Sequence, residues 1–478
     1  MPQSSSPRPH RLGAGLAFVL SGALFASPLS AQQWRAGAVA ETYATLCASC
    51  HGARMQGGSA PSMLDDEWAH GGDDESLMRS IRDGIPGNGM PPWGALFSDK
   101  DIRALVNYIH EVRAKHRFDQ TVFAEPADEM VLTSGSTTFR LKTWMRDVVE
   151  PWSMAFLPDG RAIVNEKRGR AYLVSTEAPD TDTRIEGLPP IFADGQGGLY
   201  DVVLHPRYED TGWLYFAFAD GTEEASITRV IRGRLEGHRL VDVSDIFRAR
   251  PEHYVSRRSH YGGRIVFDED GYLFFTLGER GRRDDAQELS LPNGKIHRLH
   301  DDGRIPADNP FVDTPGALPS IWSYGHRNPQ GLALHPITGE LFSVEHGPRG
   351  GDELNLVLRG ANYGWPLVTF GIEYNGNPIS DRSEAEGMQS PLTHWTPSIG
   401  ICGLDVYDGD LFPEWKHQLF IASLSGESVE RLRVVEGRVV ERATVLQRLG
   451  RVRHVVTGPD GALYVLLPRR IARLSPVE

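Results

Sequence analysis

Six times between residues 136 and 478, a short turn built from Pro, Asp or Gly runs into an apolar stretch. Phe156-Leu157-Pro158-Asp159-Gly160 precedes Ala162-Ile163-Val164, and Leu204-His205-Pro206 precedes Trp213-Leu214-Tyr215-Phe216. Phe267-Asp268-Glu269-Asp270-Gly271 precedes Tyr272-Leu273-Phe274-Phe275, and Leu334-His335-Pro336 precedes Leu341-Phe342-Ser343-Val344. Leu411-Phe412-Pro413 before Leu419-Phe420-Ile421 and Gly458-Pro459-Asp460-Gly461 before Leu463-Tyr464-Val465-Leu466 complete the set. Apolar runs this short, bounded by turn residues, read as strands. The units recur at intervals of roughly 45 to 80 residues, room for four strands and an insertion, so the expected closure is a six-bladed β-propeller. A stacked sandwich would not explain why one hairpin signature returns along the whole region. The 51 glycines and 32 prolines among 478 residues also favour a turn-rich, mainly β chain.

The N-terminal part is different. Arg8 and Arg11 make a basic start, Leu12 to Ala26 is apolar, and Leu29-Ser30-Ala31 offers a small-residue cleavage point, so residues 1–31 read as a secretory signal. The apolar run is short for a membrane span, and no second long one follows. The expectation is a periplasmic or secreted chain without stable membrane insertion; an uncleaved anchor is the alternative. The formal charge of −13 comes from 50 basic and 63 acidic side chains, and loss of Arg8 and Arg11 leaves 48 against 63. That balance argues against a nucleic-acid or anionic-membrane partner and suits either solubility alone or a basic electron-transfer partner.

In an exported chain, Cys47-Ala48-Ser49-Cys50-His51 reads as covalent haem attachment, with two thioethers from Cys47 and Cys50 and His51 as an iron ligand. A zinc or disulfide site is the competing reading. Ile102, Leu105, Val106 and Ile109 follow helical spacing after a candidate N-cap, Ser98. Met90, in the loop Gly87 to Trp93, is placed to supply the second axial thioether; Met55 lies too close to His51 to reach the opposite haem face. Residues 32–118 resemble class I cytochromes c, which implies a small all-α domain carrying one haem c. Residues 119–135 show no period and are expected to be a linker.

Within the β region three stretches are unusually polar: Gly195-Gln196-Gly197-Gly198-Leu199, Ser259-His260-Tyr261-Gly262-Gly263-Arg264, and Gly325-His326-Arg327-Asn328-Pro329-Gln330-Gly331. The third continues into Glu345-His346-Gly347-Pro348-Arg349-Gly350-Gly351-Asp352-Glu353 and Asn362-Tyr363-Gly364-Trp365-Pro366, and Arg451-Val452-Arg453 is read as two guanidinium groups on one face of a strand. Arg, Asn and Gln in this number suit a small polyanionic cofactor. Carbonyls at a Gly-Pro turn beside carboxylates suit Ca²⁺. His260 is a candidate general base.

In this order these motifs are similar to the soluble PQQ-dependent glucose and aldose sugar dehydrogenase family, over residues 136–478. The resemblance implies hydride transfer from the sugar C1 to the quinone C5, with His260 as base and Asp352 orienting it. It implies that Gln196, Arg327, Asn328, Arg451 and Arg453 hold PQQ. The main-chain oxygens of Gly347 and Pro348 would hold a catalytic Ca²⁺; Glu353 and the carbonyl of Tyr363 would hold a structural one. One residue departs from the family: Ser425 stands where a Lys is expected opposite PQQ. The expected function is therefore a quinohaemoprotein that oxidises an aldose or related polyol, passing electrons to its own haem and on to a cytochrome or oxidase. A non-catalytic carbohydrate- or protein-binding propeller with a redox-sensing or docking cytochrome is the alternative, and a Ca²⁺-dependent propeller hydrolase a further one. Specificity is expected in loops such as Gly281 to Glu288 and Phe370 to Met388. Cys402, with no partner left, reads as a small buried hydrophobe.

Overall fold

The computed structural model describes residues 38–120, 127–180 and 182–477, so the expected signal lies outside the described residues. A continuous helical path runs from Ala38–Thr42 through Tyr43–Cys47 to Ala48–His51 and stops at Gly52, which leaves the C-x-x-C-H run at its end. Cys47 and Cys50 are not bonded to each other. The helix Asp74–Asp83 starts at Asp73, whose carboxylate accepts the Ser76 N–H at 2.9 Å. The helix Asp99–Gln120 is capped at Ser98, whose N–H and hydroxyl both donate to the Asp101 carboxylate, at 3.0 and 2.6 Å. Ile102, Leu105, Val106 and Ile109 are buried against Val39, Tyr43, Leu77 and Ile81, as the spacing predicts.

The remainder is six antiparallel sheets. Their innermost strands are Pro151–Phe156, Leu199–Leu204, Ile265–Phe267, Pro329–Leu334, Ile401–Val406 and His454–Thr457. Each pairs with the next strand in sequence, and the six turn motifs are the connections between these two strands. Five blades take four consecutive strands. The sixth combines His454–Thr457, Leu463–Leu467 and Arg470–Pro476 with two strands from the start of the region, Thr137–Arg146 and Glu129–Ser134. Leu141 sits opposite Leu474 in that closing ladder, which joins the two ends of the ring. Apolar side chains from the facing sides of neighbouring blades fill the spaces between them: Phe342 and Val344 meet Leu404, Leu419 and Ile421, for instance.

The expected linker needs correction. The long helix reaches Gln120, and Glu129–Ser134 is a strand, the outer edge of the closing blade.

Alternation of strand direction has one consequence for function. In every blade, the loop leading into the innermost strand and the turn joining the second strand to the third emerge at the same end. Six blades therefore bring up to twelve short segments together on one face of the ring.

Candidate active site

Those segments enclose a cavity of about 480 Å³. Lead-in loops supply Glu150, Gln196, His260, Arg327, Asn328, Ser398, Arg451 and Arg453; second turns supply Lys167, His346 to Gly350 and Ser425. Arg451 and Arg453 both line it, but residues 448–453 are a loop and the strand begins at His454. Their spacing reflects an extended lead-in rather than one face of a strand.

His260 is held in a left-handed backbone conformation, φ 54°. That conformation is costly for a residue with a side chain, and the surroundings over-determine it. Its N–H donates to Gln196 Oε1 at 2.7 Å, and the Gly262 N–H donates to Asn328 Oδ1 at 3.1 Å. Arg280, fully buried, donates to the carbonyls of Ser259 and Arg257 and lies 3.4 Å from the Tyr261 ring centre. Gly278 is obligatory beneath it: a Cβ there would come within 2.3 Å of the His260 carbonyl oxygen.

The group that orients His260 is Glu279, not Asp352. His260 Nδ1 lies 2.8 Å from Glu279 Oε1, and Glu279 Oε2 accepts the Gly281 N–H. A carboxylate only accepts, so Nδ1 carries the proton and Nε2 keeps its lone pair for the cavity. Burial lowers the His260 pKa and the Arg327 charge adds to that, while Glu279 opposes both. Burial raises the Glu279 pKa, but the bond to His260, the Arg327 charge and the Gly281 amide together hold it below the usual carboxylate range. Asp352 is fully buried and saturated elsewhere. It accepts from Gly347 N at 2.8 Å, Ser398 Oγ at 2.7 Å, Gly400 N at 2.6 Å and Ile401 N at 3.2 Å, which ties two blades together beneath the cavity.

Gln196 and Asn328 spend their oxygens on the His260 loop, which leaves their NH₂ groups as donors beside the cavity. Lys167, Arg327, Arg451 and Arg453 face it against the single carboxylate of Glu150, apart from the closed pair Arg349–Glu111. Arg327 also donates to the carbonyls of His346 and Gly347, at 3.0 and 2.9 Å. Ser425 lines the cavity as expected. Lys167, from the first blade, is the ammonium that sequence reasoning missed; its Nζ donates to the Gly195 carbonyl at 2.9 Å, and burial lowers its pKa. An excess of cations and NH₂ donors fits an anionic planar cofactor such as PQQ.

The donor sets for Ca²⁺ differ. At the first, the Gly347 carbonyl already accepts from Arg327, and one lone pair remains beside Pro348. At the second, Glu353 is half-buried near Glu345. Burial and the Glu345 charge both raise the Glu353 pKa well above the ordinary value, and Asn355 Nδ2 at 3.3 Å is a weak compensation. Glu345 is satisfied by His326, Arg327 N and Asn355. Glu353, Glu345 and Tyr363 line a small cleft together, and two neighbouring carboxylates with one weak amide between them fit a hard cation.

In the helical domain, Met90 is presented by a tight turn closed by Ile85 N–H to Met90 O at 2.9 Å, and it is partly buried on the domain core with Met63, Leu64, Trp68, Trp93 and Phe97. An incompletely covered apolar surface that includes Cys47 and Ala48, in the same helix as His51, whose pKa burial lowers, fits a haem plane. Met55 is instead fully enclosed in the core. Cys402 is buried among apolar side chains, as expected.

Residues 148–475 match the family described as Glucose / Sorbosone dehydrogenase, and residues 34–109 match the family described as Cytochrome C oxidase, cbb3-type, subunit III. Aldose sugar dehydrogenase YliI of Escherichia coli (strain K12) is 40% identical over 353 residues, covering 73% of this chain and 95% of that protein. The crystal structure of the soluble aldose sugar dehydrogenase (Asd) from Escherichia coli in the apo-form aligns with a TM-score of 0.68 at 38% identity, covering 71% of this chain and 100% of that one. The PQQ-bound form of aldose sugar dehydrogenase (Adh) from Streptomyces coelicolor aligns with a TM-score of 0.59 at 27% identity, covering 74% and 99%. With this six-bladed ring, this cavity and a cytochrome c domain before them, the chain belongs to the glucose/sorbosone dehydrogenase family of oxidoreductases.

Proposed function

We propose that the protein oxidises an aldose sugar or related polyol, using PQQ in the cavity, and delivers the electrons to haem c at Cys47, Cys50 and His51, in the periplasm or outside the cell. The observation that carries this reading is the His260–Glu279 pair inside a cationic cavity. When bound, PQQ supplies a two-electron hydride acceptor, and the haem a one-electron outlet. The chain's own residues do the rest. His260 Nε2 takes the proton of the sugar hydroxyl, and Glu279 stabilises the imidazolium that results. Arg327, Arg451, Arg453 and Lys167 would hold the cofactor carboxylates, with the NH₂ groups of Gln196 and Asn328 completing the set. Gly347 and Pro348 would contribute carbonyls to a catalytic Ca²⁺, the Glu353 carboxylate and the Tyr363 carbonyl would hold a structural one, and Met90 would offer its thioether to the haem iron.

Ser425 is the observation that favours a non-catalytic carbohydrate- or protein-binding propeller. Lys167 counters it by placing an ammonium in the same cavity from another blade. A titration of the haem-loaded chain with PQQ and Ca²⁺ separates the two. Binding is expected, with Lys167→Met weakening it about tenfold and Ser425→Lys strengthening it by a similar factor, the worth of one hydrogen bond to a charged group. Failure of the wild-type chain to bind PQQ would favour the non-catalytic reading.

A further inference from the structure

Glu111, on the helix Asp99–Gln120 of the cytochrome domain, lines the same cavity as His260 and Arg327. Both its oxygens accept from Arg349, from Nε and from Nη2, each at 2.6 Å, and both side chains are about three-quarters buried. Arg349 directly follows Gly347-Pro348, and its backbone is bonded in both directions to Ile372, at 3.0 Å each way. Ile372 in turn is buried in the core of the cytochrome domain. One turn back along the helix, the Asn107 amide donates to the carbonyl of Phe370 at 3.3 Å, and Arg103 donates to that of Thr369 at 3.0 Å. The loop expected to set specificity is thus bonded on one side to the site turn and on the other to the cytochrome helix. Tyr374, at its tip, is 70% exposed and also lines the cavity.

We propose that the cytochrome domain is a wall of the sugar site: latched by Arg349–Glu111, its long helix and the loop 369–376 bound the cavity, and Glu111 and Tyr374 determine the size of saccharide admitted. The proposal rests on the dehydrogenase reading above. A bidentate fork at this burial fixes orientation as well as distance, which a flexible tether between domains would not provide. Under this arrangement the substrate class is the monosaccharide, because additional sugar units, linked through ring hydroxyls away from the reacting C1, run into the helix and the tyrosine.

Two measurements on the full haem-loaded chain test it. In hydrogen exchange, segments 103–113 and 369–376 are expected to be protected in the wild type, with Glu111→Gln accelerating both. With PQQ, Ca²⁺ and a soluble dye as acceptor, the ratio of kcat/KM for a linear trisaccharide to that for its monosaccharide is expected to rise about tenfold in Glu111→Gln and in Tyr374→Ala, a discrimination typical of a steric wall. Tyr374 is exposed enough for its variant to keep the fold. Faster exchange with an unchanged ratio in both variants overturns the wall, and unchanged exchange with an unchanged ratio overturns the latch as well. A raised ratio in either variant supports it, and a lowered ratio in both overturns the wall. If the wild type binds PQQ yet oxidises no sugar, the dehydrogenase reading fails and the wall with it, while exchange still reports whether the domains dock.

Discussion

Replacing His260 by Ala is expected to slow sugar oxidation by roughly 10²- to 10⁴-fold, the usual contribution of a positioned general base. The haem spectrum and PQQ binding are expected to persist, since the His260 imidazole makes its one described bond to Glu279. The pH dependence adds a sharper check. A base works only when neutral, so activity rises as pH passes upward through its pKa. Burial and Arg327 lower that pKa in His260, which places the acid limb below the ordinary histidine value of 6.5. Glu279 opposes the lowering, so Glu279→Gln is expected to move the limb further down while reducing the maximal rate. Asp352→Asn is expected to leave the limb in place and to destabilise the chain instead, because all its contacts are with backbone amides and Ser398. A limb that moves with Asp352 and not with Glu279 would reverse the assignment.

Asp201→Ala is expected to cost about 3–5 kcal/mol of propeller stability, the penalty for stranding a buried charge. Arg264 is 2% exposed, 3.2 Å from Asp201 and stacked 4.1 Å over Trp152. Its Nε donates to the Gln330 carbonyl at 2.8 Å, but no other carboxylate is described as pairing with it. The second oxygen of Asp201 accepts the Ile265 N–H at 2.9 Å, so the same substitution also leaves a buried amide unpaired. Arg264 and Ile265 continue directly from the loop that carries His260, which makes this pair part of the footing of the site. Urea unfolding followed by tryptophan fluorescence measures the effect; a shift worth less than about 1 kcal/mol, the range of an exposed pair, would show that the guanidinium reaches solvent.

Much of this was legible in the sequence because local chemistry wrote it. The six turn motifs mark one connection in each blade, and Pro, Asp and Gly are needed there whatever surrounds them. Polar residues just before an innermost strand were legible for a similar reason: Gln196, His260, Arg327 and Asn328 stand out against the apolar strands that follow. Glu279 and Lys167 were missed because each sits in a second turn, immediately after an apolar strand, in the tripeptides Gly278-Glu279-Arg280 and Glu166-Lys167-Arg168. The rule that would have found them is topological, namely that second turns share a face with lead-in loops. Asp352 was misassigned because its distance in sequence from His260 carries no information about which buried donors claim its oxygens. The strand Glu129–Ser134 belongs to a blade completed by the far end of the chain, and the Glu111–Arg349 fork joins residues 238 positions apart. No local pattern announces either one.

The central claim is that a sugar oxidised at His260 reduces the chain's own haem. It is tested most directly by mixing the purified ferric chain, anaerobically and with no other acceptor, with PQQ, Ca²⁺ and a panel of aldoses, while following the haem absorption bands. Reduction that requires both additions and an aldose, and that is lost in His260→Ala, is the predicted result. A haem that stays ferric with every sugar although PQQ is bound, or one reduced equally well by the His260→Ala variant, would contradict it.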